Sequence, residues 1–255
     1  MNESMEERLR ELEQENRHLK ETIKRRDELI RETFGRYLTD EVLEEILNNR
    51  GNIKIGGERR VVSMLFTDIR HSTQLSEEMD AESFLRMLNH YFSELIEIVN
   101  AWQGNILAFV GDALVVVFGA PRENLFSARN AAACAVAMQR RMPVINAWNR
   151  EQGYPNLSMG IGLHIGEAIL GNIGSETRTK YDMIGRNVNL TSRIEGFTRG
   201  GQILASTELV EAAGDRVIVN EAGSVWVRPK GIQTDILLHD VVGFGTKMVP
   251  PAEKE

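Results

Sequence analysis

Two aspartates stand where apolar strand gives way to polar chain. Asp68 lies near the end of the run VVSMLFTDI at 61–69, and Asp112 follows Gly111 between the apolar runs NILAFV and ALVVVF. Apolar runs broken by Gly-Asp predict a β-hairpin with Asp112 at its tip. If that hairpin pairs beside the first strand, both carboxylates project from one end of a sheet. Carboxylates meeting there are costly unless cations neutralise them. Oxygen donors without His or Cys suit Mg2+ or Mn2+, with substrate phosphates filling the other positions. Two such ions suit phosphoryl chemistry: one activates the attacking oxygen and the other neutralises the leaving phosphates. The alternative is local, with Asp68 capping the following turn and Asp112 serving the hairpin.

A second pattern lies in KYDMIGRNVNLTSRIE at 180–195. Asn189 and Arg193 are four apart on a predicted helix and share a face. The amide can orient a ligand oxygen, and the guanidinium can stabilise charge growing on a phosphate. A surface salt bridge is the plainer role for Arg193. Gly160, Gly162 and Gly166 sit within apolar strand rather than between a strand and a helix, so they are weak evidence for phosphate binding. No Ser-His-Asp set stands out.

The elements that must position these residues follow from periodicity. Residues 80–102 carry Phe84, Leu88, Tyr91, Phe92, Leu95, Val99 and Trp102 on one helical face. The hairpin covers 105–119, and an Ala-rich helix spans about 124–150. Residues 157–174 read as two apolar segments around His164–Glu167, and 186–197 as a short helix. QILAS, VIVNE, VWVRP and DILLHDVV read as later strands. The order predicts an α+β fold, a ferredoxin-like βαββαβ sandwich with additional C-terminal strands.

Residues 1–32 differ from the rest. Leu9, Asn16 and Ile23 fall at position a of a heptad, and Leu12 and Leu19 at d. A buried Asn at one a position favours a parallel, two-stranded coiled coil; a solvated single helix is the alternative. A coiled coil opening a chain also points to a sensor domain upstream. Residues 33–58 read as a connector, with an N-cap at Thr39 or Asp40, apolar Val42, Leu43, Ile46 and Leu47, and Gly51 and Gly56-Gly57 closing it. The main domain is placed at 59–245 and a tail at 246–255.

The net charge of −7 over 255 residues disfavours a general nucleic-acid binder. The single cysteine, Cys134, sits among alanines, reads as a packing residue and excludes an intrachain disulfide. No apolar run approaches the ~18 residues of a membrane span, and the charged N-terminus lacks a signal-peptide core. A cytoplasmic chain is expected, alone or as the cytosolic part of a larger receptor.

Together FTDIRHST, FVGDALVVVFGAP, GIGLHIGE, YDMIGRNVNLTSRIE and VWVRPKG resemble the class III nucleotidyl cyclases, in order and with family-like spacing over about residues 60–243. The segment FGRYLTDEVLEEIL resembles the one that precedes such domains in bacterial receptors. The resemblance implies roles. Asp68 and Asp112 match the two metal aspartates, and Ile69 the backbone carbonyl that joins them around two divalent cations. Asn189 and Arg193 match the transition-state pair, and Lys230 a lysine that contacts the triphosphate. Asp182 matches the position that reads the adenine edge, and His164, in GLHIGE, falls where the family uses no base, which implies a structural role for it. The family site lies at a head-to-tail dimer interface, so a homodimer is implied, with metal aspartates from one subunit and Asn189, Arg193 and the base readers from the other. The implied reaction turns ATP into cyclic AMP and pyrophosphate, as the output of a signalling protein.

One position departs from the pattern. Four residues before Asp112, adenylate cyclases usually carry a lysine and guanylate cyclases a glutamate; this chain has Ala108. A lost charged hydrogen bond is worth about 1.5–3 kcal/mol. Asp182 leans toward ATP, because it accepts from an amino group and repels a carbonyl. Three readings stay open: a weakly selective cyclase preferring ATP, a cyclase in which another residue substitutes or residue 108 is engineered, and a silent dimeric signalling or nucleotide-binding module.

Overall fold

The structure, a computed structural model, describes residues 3–35, 43, 44, 47, 55–175, 177–231 and 234–250. It divides into two units, Met1–Ile53 and Lys54–Glu255. In the first, α1 is one helix over Glu3–Phe34. Its seam residues Leu9, Leu12, Leu19 and Ile23 are all exposed. Most of the connector expected at 33–58, including Thr39, Asp40, Val42, Ile46 and Gly51, lies outside the described residues, as do 251–255 of the expected tail; Leu43 and Leu47 are helical.

The second unit opens with β1 (Gly56–Ile69), which starts before the apolar run and includes the glycine pair read as the connector's end. Then come α2 (Ser72–Glu78), α3 (Ala81–Ala101), β2 (Asn105–Val110), β3 (Ala113–Phe118), α4 (Ser127–Glu151) and β4 (Met159–Ser175). They are followed by β5 (Arg178–Ile184), α5 (Arg186–Glu195), β6 (Ile203–Ser206), α6 (Thr207–Ala213), β7 (Val217–Val227), β8 (Ile236–Phe244) and β9 (Lys247–Met248). The sheet order is β2-β3-β1-β4-β6-β8-β7, with β5 on β4 and β9 on β8. The β1-α3-β2-β3-α4-β4 core is the expected βαββαβ arrangement, its four strands ordered β2-β3-β1-β4 and antiparallel.

Strand alternation divides the core into two faces. Leu65, Ile69, Leu114, Val116, Phe118, Ile161 and Leu163 pack under α3 and α4, against Met87, Tyr91, Leu95, Val99, Cys134 and Met138. Asp80 caps α3 by accepting from the Ser83 amide at 2.9 Å. The opposite face carries Val62, Met64, Leu107, Val115, Val117, Leu170 and Met183. Each such side chain removed from water contributes about 1.5–3 kcal/mol.

This second face positions the site. α5 lies across it, with Ile194 fully buried against Leu204 and Leu238. The glycines of β4 make room for the helix: a Cβ on Gly162 would stand 2.4 Å from the Glu195 amide nitrogen, and one on Gly166 2.5 Å from Asn187 Nδ2. Their small size serves close packing, which accounts for glycines inside apolar strand.

Two long pairings complete the frame. β1 pairs with β4 from Gly56↔Asn172 to Ile69↔Met159. β4 continues into β5, where Gly171 stands opposite Asp182 as well as Gly57.

Candidate active site

Asp68 ends the alternation Val62, Met64, Phe66 on β1 and therefore faces the α5 side of the sheet. Asp112 occupies the two-residue turn between β2 and β3, where Gly111 takes a φ of 64°, a region that favours glycine. The hairpin pairs beside β1 through β3, as the sequence requires for the carboxylates to meet. The main-chain amide of Ile69 donates to Asp112 Oδ2 at 2.9 Å, which fixes the turn against the end of β1.

The electrostatics record how close these acids are. Burial, followed by the charge on Asp112, raises the Asp68 carboxyl above the usual carboxylate range; Arg70 opposes the shift. Arg70 donates to Asp68 Oδ1 at 2.8 Å and forms an ion pair with Glu195 at the end of α5. Glu195 is pushed up to about 7, chiefly by burial, with Arg70 opposing and the charges of Asp68 and Asp112 adding. Three carboxylates thus share one field. Among the described residues no group of three or more His, Cys, Asp or Glu side chains is arranged to hold a metal ion. A hard cation at Asp68 and Asp112 therefore needs further oxygens, from the Ile69 carbonyl, water or a substrate phosphate. The all-oxygen donors, and the burial and neighbouring charge that raise Asp68, fit such an ion.

On α5, Asn189 is exposed and Arg193 half-buried. The guanidinium of Arg193 donates to the main-chain carbonyl of Lys230, so two of the expected phosphate-binding residues lie together. Lys230 is itself exposed, in the turn between β7 and β8 that the Arg228–Asp235 ion pair bridges at 2.7 Å. The start of α5 is held by a buried relay. His164 contacts Ser206 Oγ at 2.8 Å and Asn187 Oδ1 at 3.3 Å, and Asn187 Nδ2 donates to the Glu167 carbonyl at 2.8 Å. Burial lowers the pKa of His164. This is the structural role expected of it.

The remaining expected residues, Ala108 and Asp182, lie on β2 and β5; Tyr181 and Met183 face the second core cluster, so Asp182 between them points to the other side of β5. Ala108 and Tyr181 both pack against the second core cluster, and β2 approaches β5. A register shift in β2 between Ile106 and Ala108 leaves Leu107 and Ala108 both directed at this cluster. Asp182 Oδ1 accepts from the Met183 amide at 2.9 Å, and Asp182 Oδ2 from Lys180 Nζ at 2.8 Å. Sequence reasoning missed Lys180, Arg70 and Glu195. Lys180 carried a signal, being two residues from Asp182 and so on the same side of a strand. The Arg70–Glu195 pair joins residues 125 apart in the chain and carried none.

Comparison with known proteins agrees with this geometry. Residues 57–240 match the family described as the adenylate and guanylate cyclase catalytic domain. The chain is 32% identical over 216 residues to adenylate cyclase 1 of Rhizobium meliloti (strain 1021), covering 83% of this chain and 32% of that protein. It spans only about a third of the length of the curated relatives it matches. Among solved structures it is similar to the guanylyl cyclase Cya2, with 42% identity and a TM-score of 0.74 over 77% of this chain and 100% of that one. It is also similar to the adenylyl cyclase CyaB from P. aeruginosa, with 34% identity and a TM-score of 0.71 over 75% of this chain and 98% of that one. With its fold, its paired carboxylates and these matches in agreement, the chain belongs to the class III adenylate and guanylate cyclase catalytic domain family.

Proposed function

We propose that this domain converts ATP to 3′,5′-cyclic AMP and pyrophosphate at sites shared between two head-to-tail copies. The observation that carries the reading is the Ile69–Asp112 hydrogen bond, which holds two carboxylates together at one end of the sheet, while a separate contact between Arg193 and Lys230 gathers two cationic residues. In the reaction the ribose 3′-oxygen bonds to the α-phosphorus, and the bond to the β-phosphate bridging oxygen breaks. Pyrophosphate leaves, and the hydroxyl proton passes to solvent. No side-chain nucleophile is required. Asp68, Asp112 and the Ile69 carbonyl would hold two divalent cations, Mg2+ or Mn2+, which supply Lewis acidity to the attacking hydroxyl and the phosphates. Asn189 orients the ribose, and Arg193 and Lys230 offset charge on the phosphates of the partner's substrate.

Lys180 supports ATP as the substrate. Asp182 retains lone pairs to accept from an exocyclic amino group, and it repels a carbonyl at the same place. The Lys180 ammonium at its side supplies the donor that Ala108 lacks. Exposed Phe109, Val110 and Ile184 near the site suit burial against a second copy. Exposure of the α1 seam suits pairing of two such helices into a coiled coil that relays an upstream signal.

The second reading is a guanylate or weakly selective cyclase. Ala108 favours it, as does the likeness to the guanylyl cyclase Cya2. Turnover of ATP and GTP side by side, with Mn2+ and then Mg2+, tests both. Cyclic AMP well above cyclic GMP is expected. Equal rates would establish weak selectivity, and a folded dimer yielding neither product would make the domain a silent module.

A further inference from the structure

The helical side of the sheet, opposite the candidate active site, contains a hollow of about 650 Å³. That volume is in the range of small-molecule sites. Its floor is apolar: Ile98 and Trp102 from α3, Val136 from α4 and Phe244 from β8. Its rim is cationic, although the chain as a whole is acidic. Arg140, Arg216 and Lys247 converge on it from α4, from the residue before β7, and from β9.

The charges on this rim are not balanced internally. Arg141, which also lines the hollow, is paired with Glu94 at 2.8 Å. Arg140 donates at 2.9 Å to the Met248 carbonyl, a neutral acceptor that leaves its charge in place. Among the described residues neither Arg216 nor Lys247 has a carboxylate partner within ion-pair distance. An apolar floor recommends a hydrocarbon, and an unneutralised cationic rim recommends an anion at one end of it. We propose that this hollow binds a free single-chain carboxylate amphiphile, with its chain along Trp102 and Phe244 and its headgroup between Arg216 and Lys247. The site is separate from the cyclase reading and stands or falls without it.

Decanoate, below its micelle concentration, is the probe. Calorimetry on the full chain should show saturable binding, with a matching change in tryptophan fluorescence that Trp102→Phe abolishes while the calorimetric binding persists. Decanol and decylamine should bind at least about tenfold more weakly, because each lacks the charge-assisted hydrogen bonds. The double variant Arg216→Glu, Lys247→Glu should lose affinity by a similar factor, and Ala137→Trp, which fills the hollow from α4, should block binding. Both variants should keep the wild-type circular dichroism. Equal affinity for decanol, or no saturable binding to the wild type, would overturn the proposal. So would undiminished binding by Ala137→Trp, or sedimentation with anionic vesicles that Ala137→Trp leaves unchanged, which would indicate a membrane-facing surface.

Discussion

The backbone amide of Ile69 and the carboxylate of Asp112 meet at 2.9 Å, across two strand ends that lie 43 residues apart in the chain. The bond ties the hairpin turn to β1 and leaves Asp112 beside Asp68. Asp112→Asn keeps an oxygen to accept this bond but removes the charge. It should lower cyclic nucleotide formation at least about 100-fold while leaving the melting temperature near the wild type. Full turnover with Mn2+ would remove Asp112 from the metal site.

Arg193 tests the shared site. Arg193→Ala should lower kcat about 100-fold with a smaller change in KM, since it acts on charge that grows during the reaction. Mixing this variant with Asp112→Asn should restore about a quarter of wild-type activity, because half the dimers are mixed and each has one intact site of two. Absence of restoration, with exchange of subunits verified, would place both residues in one protomer's site.

Lys180 tests base reading. Lys180→Ala should reduce the ATP-over-GTP ratio of kcat/KM about tenfold, and Ala108→Lys in that background should recover it. A ratio unchanged by Lys180→Ala would leave Asp182 as the reader without an ammonium.

Glu195 gives stability a pH dependence. The folded protein keeps this proton up to about pH 7, whereas the free side chain releases it near 4.5. Between these values the folded state binds more protons than the unfolded one, so this group's contribution to stability falls as pH rises. His164, whose pKa burial lowers, contributes in the opposite direction below its ordinary value of 6.5. The difference between wild type and Glu195→Gln isolates the contribution of Glu195. Melting temperatures from pH 4.5 to 7.5 should fall more steeply for the wild type than for Glu195→Gln.

The α1 seam makes a separate prediction. Leu12→Asp with Leu19→Asp should weaken dimerisation measured by sedimentation, since both side chains are exposed on a lone helix and gain burial only in a pair.

Much of the frame was legible because one face of each element is buried. The alternation in β1 and the apolar stripe of α3 announced themselves, and Gly111-Asp112 marked the turn. Polar insertions misled. β4 reads as two segments because His164–Glu167 interrupts the apolar run, yet it is one strand whose polar stretch pairs with Val61–Met64 without a break. VIVNE and the first three residues of VWVRP likewise belong to one strand, β7, with an irregular register between Asn220 and Val225. β5 opens with exposed Arg178, Thr179 and Lys180, so its alternation is confined to Tyr181 and Met183 and is too short to stand out in the sequence. The carboxylates and the α5 face were visible as residue types at strand ends and helical spacing. Arg70 and Glu195 were not, since their meeting depends on how α5 crosses the sheet.

The β1–β4 register has a mechanical consequence. Gly57 at the start of β1 lies against Gly171, and Gly171 lies against Asp182; Asp68 is at the far end of the same β1 strand, about 36 Å away at about 3.3 Å per residue. A Cβ on Gly171 would stand 2.2 Å from the Gly56 carbonyl oxygen, so nothing cushions that junction. A push or twist applied at Gly57 reaches β5, and with it Asp182, before it reaches Asp68. Under the roles proposed for Asp182 and Asp68, strain entering at Gly57 alters the choice of nucleotide before it alters the rate of turnover.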